Sequence, residues 1–398
     1  MVSIPLEALA RGEIDSIRCF VDDIKQNGYS VVELPEKVAQ SVLRTQKAML
    51  DYFLSKRLEE KMKHNLDHNS FRYGYWNSPH MGKELFQVRL SDQKALWPSQ
   101  KLREQCDACF QAMHSCGEIC LMAIGMFLCA DDMEPGRKIK SVDLRAGQAE
   151  EWFHFWDKLC KDSTTTDFPL SATLLDCFRY HSPSGTRIDS CGAHTDYNLL
   201  TLVPRALGKH GLEIFNWDAG EWDRVEESLT SASQCVVMPG ESLPLVTAGY
   251  FLASIHRVIV PKTSKNVKIV TGDSKLEEGD EVLTALSSKK MFSAVSKERI
   301  STPFLLFANP RQKLCPCPFR NEIVQEEGLK KWNTSDSPPT SDAFVRKLLG
   351  EHESVTFGNK YRDFLLQSTA EKKKNGKGDQ TSMKHEQKVL VELSEGQT

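Results

Sequence analysis

Two short stretches place metal-binding side chains where one ion could share them. Gly192-Ala193-His194-Thr195-Asp196 sets a histidine and a carboxylate two residues apart. In an extended chain such residues point to one face, so both can reach a single cation. Of the eleven histidines, only His194 has an acidic residue two positions on. Sixty-two residues later, His256 enters an apolar run, Ser254-Ile255-His256-Arg257-Val258. Two imidazoles and one carboxylate form a facial triad that suits Fe(II) and leaves positions open for a bidentate co-substrate and O2. The same three donors also serve zinc in a hydrolase. Taken singly, each has a plain structural reading: a polar surface strand for the pair, a satisfied half-buried residue for His256. A third pair, Arg299-Ile300-Ser301, leads into the β run Pro303–Phe307. A guanidinium and a hydroxyl on one face suit a carboxylate, which Arg grips through two parallel hydrogen bonds. Arg89-Leu90-Ser91 has the same pattern, but only Arg299 follows the second histidine and opens a β run.

These residues lie in a stretch whose texture is β-rich. From Ala172 onward, runs of four to eight apolar-rich residues alternate with Gly, Pro, Asn and Asp clusters. They are Leu174–Tyr180, Leu199–Val203, Leu212–Phe215, Gln234–Met238, Leu245–Thr247, His256–Val260 and Pro303–Phe307. Short strands at this spacing predict an antiparallel sandwich or jelly roll rather than βαβ units. The first third reads as mostly helical. A helix is expected over Ile14–Lys25 with Asp15 as its cap, then a strand over Tyr29–Leu34. A long helix from Pro35 to about Lys63 follows, and another from about Lys101 to Cys129. Between them, Leu85–Leu90 alternates as a strand would, with Phe86, Val88 and Leu90 on one face. The fold class is therefore α+β with a mainly β core.

The order His-x-Asp, His-Arg-Val, Arg-x-Ser resembles the 2-oxoglutarate and Fe(II)-dependent dioxygenases of the isopenicillin N synthase-like group. The flanks carry the resemblance further. They include Thr195 to Leu202, the hairpin Gly211-Leu212-Glu213-Ile214-Phe215 through Glu221-Trp222, and the turns Met238-Pro239-Gly240-Glu241 and Thr247-Ala248-Gly249-Tyr250. Upstream, Ile4-Pro5, Asn27-Gly28-Tyr29 and Glu59-Glu60-Lys61 are similar to the family's N-terminal region. The resemblance implies a double-stranded β-helix with His194, Asp196 and His256 as Fe(II) ligands. It also implies Arg299, Ser301 and Tyr180 as the residues that bind 2-oxoglutarate. The implied activity hydroxylates or desaturates a small organic substrate with O2, turning 2-oxoglutarate into succinate and CO2, with ascorbate as an accessory reductant. Two departures stand out: Phe178 replaces the family's asparagine, and 43 residues separate His256 from Arg299, far more than is usual there. On these rests an alternative, a binding or regulatory protein that keeps the fold without the chemistry.

Composition narrows the remaining classes. The chain has 398 residues, 40% hydrophobic, with 51 basic and 54 acidic side chains, a formal charge of −3. That excludes wholesale disorder, and the balance gives no basic excess of the kind a nucleic-acid binder shows, so no nucleic-acid partner is expected. The longest apolar run, Ile119–Ala130, is 12 residues, short of the ~20 that cross a bilayer, so no membrane partner is expected either. Met1-Val2-Ser3-Ile4-Pro5 shows no basic start before an apolar core, and a cytoplasmic protein with reduced thiols is the expectation. Cys106, Cys109, Cys116 and Cys120 fall within roughly 80° on one predicted helix but spread over roughly 21 Å along it. Four thiolates so spaced cannot share one ion, and they read as small packing residues. Cys315-Pro316-Cys317 has no second pair nearby and reads the same way. The expected organisation is an N-terminal helical region (1–130), a jelly-roll core (131–310) with an insertion at 262–298, a C-terminal helical extension (311–369) and a disordered tail (370–398). Tyr73, Tyr75, Phe86 and Phe307 are positional candidates for the substrate pocket, each equally well explained by core packing. Neither substrate identity nor oligomeric state is legible in the sequence.

Overall fold

The structure, a computed structural model, describes residues 3–68, 71–79, 82–89, 97–130, 149–160, 172–181, 188–216, 219–260, 298–309, 312 and 314. Leu90, Cys315-Pro316-Cys317, the C-terminal extension but for Gln312 and Leu314, the tail and, but for Glu298, the 262–298 insertion lie outside the described residues.

Strand β1 (Ile4–Pro5) and helix α1 (Leu6–Ala10) precede α2 (Ile14–Asn27). Helix α2 forms because Ile14, Ile17, Phe20, Val21 and Ile24 recur at helical spacing and are all buried. Burying each is worth roughly 1.5–3 kcal/mol over leaving it exposed. It ends at Gly28, whose φ of 80° few other residues adopt and whose N–H donates to the Ile24 carbonyl at 2.9 Å. Asp15 sits inside the first turn rather than capping it, and Glu13 occupies the cap position without a side-chain bond.

Strand β2 (Ser30–Glu33) leads to α3 (Glu36–Ser55) and α4 (Leu58–Met62). The single helix expected to reach about Lys63 breaks at Lys56, which is extended. The break lets Lys61 turn inward, where its ammonium pairs with buried Glu84 and donates to the Phe53 carbonyl at 3.2 Å. Strands β3 (Asn65–His68), β4 (Phe71–Ser78) and β5 (Lys83–Val88) form an antiparallel meander. Helix α5 (Gln100–Cys129) is capped by Ser99, whose Oγ accepts from the Leu102 N–H at 3.2 Å. Its length and apolarity would let it cross a membrane, but here it is the central core helix, packed on α1, α2, α3, β8 and β15. Cys106, Cys109, Cys116 and Cys120 are all buried on its packed side. Burial pushes the Cys109 and Cys116 thiols up to about 12, which suits inert packing groups.

After α6 (Ala149–Cys160) come β6 (Leu174–Tyr180), β7 (Ile188–His194), β8 (Leu200–Pro204), β9 (Leu207–Gly208), β10 (Leu212–Asn216) and β11 (Glu221–Asp223). The chain continues through β12 (Gln234–Pro239), α7 (Ser242–Val246), β13 (His256–Val260), β14 (Arg299–Ser301) and β15 (Phe304–Leu306). The strand expected over Leu245–Thr247 is instead the end of α7. The apolar residues from Leu243 to Val246 are buried as a helical turn, closed by the Thr247 N–H on the Leu243 carbonyl at 3.0 Å.

Two sheets result. The larger runs β1-β2-β12-β8-β15-β6-β5-β4-β3, with β14 pairing β6 and β9; the smaller runs β11-β10-β13-β7. Helices cover one face of the large sheet and the small sheet faces the other, giving three layers with a core in each gap. Alternation sorts the large sheet's side chains. Leu175 and Cys177, Leu200 and Leu202, Cys235 and Val237, Phe304 and Leu306 pack toward the helices. Their neighbours Asp176, Phe178, Tyr180, Thr201, Val203, Met238 and Leu305 line a cavity between the sheets.

Candidate active site

The small sheet brings the two histidines together. Strands β7 and β13 are antiparallel neighbours, and His194 and His256 are direct partners in their register. The imidazole rings are 4.3 Å apart between centroids. Each ring bonds through Nδ1 to the backbone carbonyl two residues back, His194 to Gly192 at 2.8 Å and His256 to Ser254 at 3.2 Å. With Nδ1–H donating, each Nε2 points away from its own backbone, the arrangement that metal-bound histidines use, and the His194 ring also has Cys191 Sγ 4.0 Å from its Nε2. Both Nε2 atoms face one carboxylate: His194 lies 3.7 Å from Asp196 Oδ1 and His256 3.7 Å from Asp196 Oδ2. One donor atom from each of the three residues falls within 4.8 Å of the others. Burial, reinforced by the neighbouring His194, pushes the His256 imidazole down to about 4, so it stays neutral at physiological pH as a ligand must. Burial works against charge on His194, but Cys191 and Asp196 outweigh it and push the imidazole up to about 10, so an ion bound there displaces a proton. Two imidazole nitrogens and one carboxylate oxygen on a single face fit a divalent ion such as Fe(II).

The loop between β7 and β8 is held from behind. The Thr201 hydroxyl donates to Asp196 Oδ2 at 2.6 Å, fixing the carboxylate. The Thr195 hydroxyl donates to Glu241 Oε1 at 2.5 Å, and the Glu241 N–H donates to the Asp196 carbonyl at 2.7 Å. Gly240 makes the close approach possible, because a Cβ there would lie 2.1 Å from Asn198 Oδ1 and 2.3 Å from its carbonyl oxygen. Glu241 is buried beside Asp196, and burial pushes its carboxyl up to about 8.

The large sheet supplies the facing wall. Strand β14 pairs with β6 so that Arg299 lies opposite Tyr180 and Ser301 opposite Phe178. All four line the cavity, whose volume is about 520 Å³. The Arg299 guanidinium stands 5.2 Å from the Tyr180 ring centroid. Its Nε and one Nη donate to Glu226 at 3.0 and 2.7 Å. Glu226 also accepts the N–H groups of Gly211 and Leu212 at 2.7 and 3.0 Å. Burial opposes the charge on both partners, yet their mutual attraction outweighs it, holding Glu226 below the usual carboxylate range and Arg299 above its own. The clamp leaves Nη1 and one Nη2 proton of Arg299 for a ligand in the cavity.

The structure thus brings His194, Asp196 and His256 into one cluster and sets Tyr180, Arg299 and Ser301 on the wall of the same cavity. Tyr73, Tyr75 and Phe86 face the other way, because alternation turns them toward the helices; Trp76 and Leu85 beside them line the cavity instead. Sequence reasoning missed Glu226, Glu241, Thr201, Asp176 and Gln87. Thr201 and Glu241 lie in the flanking motifs without a role being legible there, Asp176 shares the alternating face of Tyr180, and each of the five takes its role from a partner elsewhere in the fold.

Residues 175–271 match the family model of the 2OG-Fe(II) oxygenase superfamily. The chain is 32% identical over 91 residues to the 2-oxoglutarate-dependent dioxygenase caaD of Aspergillus niger, covering 22% of this chain and 27% of that protein. It is 38% identical over 69 residues to a homoarginine-6-hydroxylase of Arabidopsis thaliana, covering 17% and 20%. These matches span about a quarter of the curated relatives' length or less. Among solved structures, a 2OG-Fe(II) oxygenase family protein of Caulobacter crescentus superimposes with a TM-score of 0.60 at 14% identity, over 88% of this chain and 99% of that one. The dioxygenase for auxin oxidation of rice does so with 0.56 at 16%, over 88% and 95%. At such identities the likeness is one of fold, and it extends well beyond the matched segment. The segment similar to the 2OG-Fe(II) oxygenase superfamily, residues 175–271, is the one that contains His194, Asp196 and His256.

Proposed function

We propose that the protein is a non-haem Fe(II)- and 2-oxoglutarate-dependent oxygenase that hydroxylates or desaturates a small organic molecule. The observation that carries this reading is the convergence of His194 Nε2, His256 Nε2 and the Asp196 carboxylate on one point of the cavity wall. These three residues hold the iron. When bound, Fe(II) supplies O2 activation, coupled to oxidation of 2-oxoglutarate to succinate and CO2. In hydroxylation, one oxygen atom of O2 ends in succinate and the other in the product; in desaturation, the substrate gives up two hydrogens and water forms.

The remaining chemistry is positioning. The open edge of Arg299 takes the distal carboxylate of 2-oxoglutarate bidentately, with the Ser301 hydroxyl and Tyr180 phenol as further donors. Glu226 fixes the plane of the guanidinium so that this geometry is preformed. Val203, Leu212, Met238 and Val258 line the cavity with apolar surface, which limits water around the reacting groups.

The test is anaerobic loading with Fe(II), then O2 and 2-oxoglutarate with ascorbate present, with succinate as the readout. His194→Ala and His256→Ala are expected to abolish succinate release, whereas Cys109→Ala, in the helical core, leaves it nearly intact. Unchanged succinate release by either histidine variant would sink the assignment. Arg299→Ala is expected to weaken 2-oxoglutarate binding strongly; undiminished succinate release in that variant would remove Arg299 from the co-substrate site.

A further inference from the structure

The cavity is not uniform in charge along β6. At one end, Tyr180 lies opposite both Lys83 of β5 and Arg299 of β14, so two cationic residues flank one register position. Four residues away on the same face is Asp176, about 13 Å along the strand at 3.3 Å per residue. It lines the cavity, and its carboxylate is shaped by a relay of fixed groups. Asp176 Oδ1 accepts from Gln87 Nε2 at 2.9 Å, Gln87 Oε1 accepts from Arg89 Nε at 3.3 Å, and Arg89 Nη1 donates to the Ala172 carbonyl at 2.9 Å. Among the described residues Asp176 forms no ion pair, and its second oxygen has no hydrogen-bond partner. Arg89 and Lys83 act on it only from beyond ion-pair distance, and a carboxylate in a largely desolvated site is costly unless something cationic meets it directly. The ring of Trp76 lines the same cavity and offers a face that attracts cations, whereas the ring of Phe178 already carries the Lys83 ammonium 5.4 Å from its centroid.

Resting on the oxygenase reading above, we propose that Asp176 is the substrate-recognition residue, and that the oxidised molecule carries a basic nitrogen, an ammonium or a guanidinium, bound to its free carboxylate oxygen. The cationic end, with Lys83 and Arg299, takes the dicarboxylate co-substrate; the anionic end takes the positive group of the molecule to be oxidised. Charge segregation of this kind keeps the two ligands from exchanging places, since each would meet a like charge at the other's end. Burial pushes the Asp176 carboxyl up to about 6, so it is still ionised at neutral pH.

The test uses the full chain with Fe(II), 2-oxoglutarate and O2. Succinate release is measured alone and then with L-arginine, L-lysine and agmatine, set against the neutral L-citrulline and L-norleucine. The basic compounds are expected to raise succinate release several-fold and the neutral ones are not. Asp176→Asn is expected to lower the ratio of kcat/KM for basic over neutral compounds by about tenfold or more, the scale of one charge-assisted hydrogen bond. Asp176→Glu should keep the preference for basic compounds. Substrate-free succinate release that no basic compound stimulates overturns the proposal, as does an unchanged ratio in Asp176→Asn. Absence of both 2-oxoglutarate binding and succinate release in the wild type identifies a failure of the oxygenase reading itself and removes this proposal with it. The wild-type panel decides even where a variant does not fold.

Discussion

Glu226 and Asp176 are two buried carboxylates with opposite electrostatics, and each makes a prediction at its own position. Glu226 is satisfied by Arg299 and two backbone N–H groups. Removing one partner of a buried, hydrogen-bonded ion pair leaves the other charge stranded. Glu226→Ala is therefore expected to lower the free energy of unfolding by about 3–5 kcal/mol in urea titrations. Glu226→Gln should raise the KM for 2-oxoglutarate more than it lowers kcat, because the guanidinium loses its fixed orientation rather than its charge. Asp176 is the reverse case: burial raises its folded pKa from 3.8 to about 6. The folded state then binds the proton more tightly than the unfolded state, so stability attributable to this group is full below about pH 4 and is lost as pH rises through 6. Wild type and Asp176→Asn should be similarly stable at pH 4. By pH 7 the wild type should lie about 3 kcal/mol below the variant, from about two units at 1.36 kcal/mol each. Chemical denaturation at the two pH values, without metal or co-substrate, checks this; a gap that does not widen with pH would count against a buried, ionised Asp176.

At the scale of elements, the register of two strand pairs makes the site. The β7–β13 pairing puts His194 beside His256, and the β14–β6 pairing puts Arg299 beside Tyr180. The large sheet, which carries the second pairing, is backed by α5, and α5 packs on α6. Gly125 of α5 lies under the indole of Trp156 in α6, and an added Cβ would come within 2.7 Å of that ring. Gly125→Ala must therefore displace α6, costing about 1–3 kcal/mol as overpacking does. Tryptophan fluorescence should shift with it, while activity per folded molecule changes little, because the displaced ring is on the far face of the sheet from the cavity. The helices in this region were legible from apolar spacing, as with Ile14, Ile17, Val21 and Ile24. The break at Lys56 and the helical turn at Leu243 were not: the first follows from Lys61 reaching Glu84 on β5, the second from burial of an apolar run too short for its period to be read.

For the whole molecule, metal and co-substrate bind only the folded state and should stabilise it by mass action, about 2.7 kcal/mol for each ligand at a hundred times its Kd. Thermal unfolding under anaerobic conditions is expected to show two increments, one with Fe(II) and a second with 2-oxoglutarate. Arg299→Ala should keep the first and lose most of the second; loss of both together would mean that Arg299 supports the metal cluster and not the co-substrate. The sequence by itself determined the mainly β core with its N-terminal helices and the identity of the triad candidates. Strand alternation, a His-x-Asp pair and the order of the motifs are local, and physics at the level of a few residues makes them readable. The tertiary structure alone decided which face of each strand meets the cavity, why Arg299 is held by Glu226, and that Asp176 shares one cavity wall with the position two cations flank. Those facts depend on the partners each strand finds, and such partners are set by sheet register between segments up to a hundred or more residues apart in the chain.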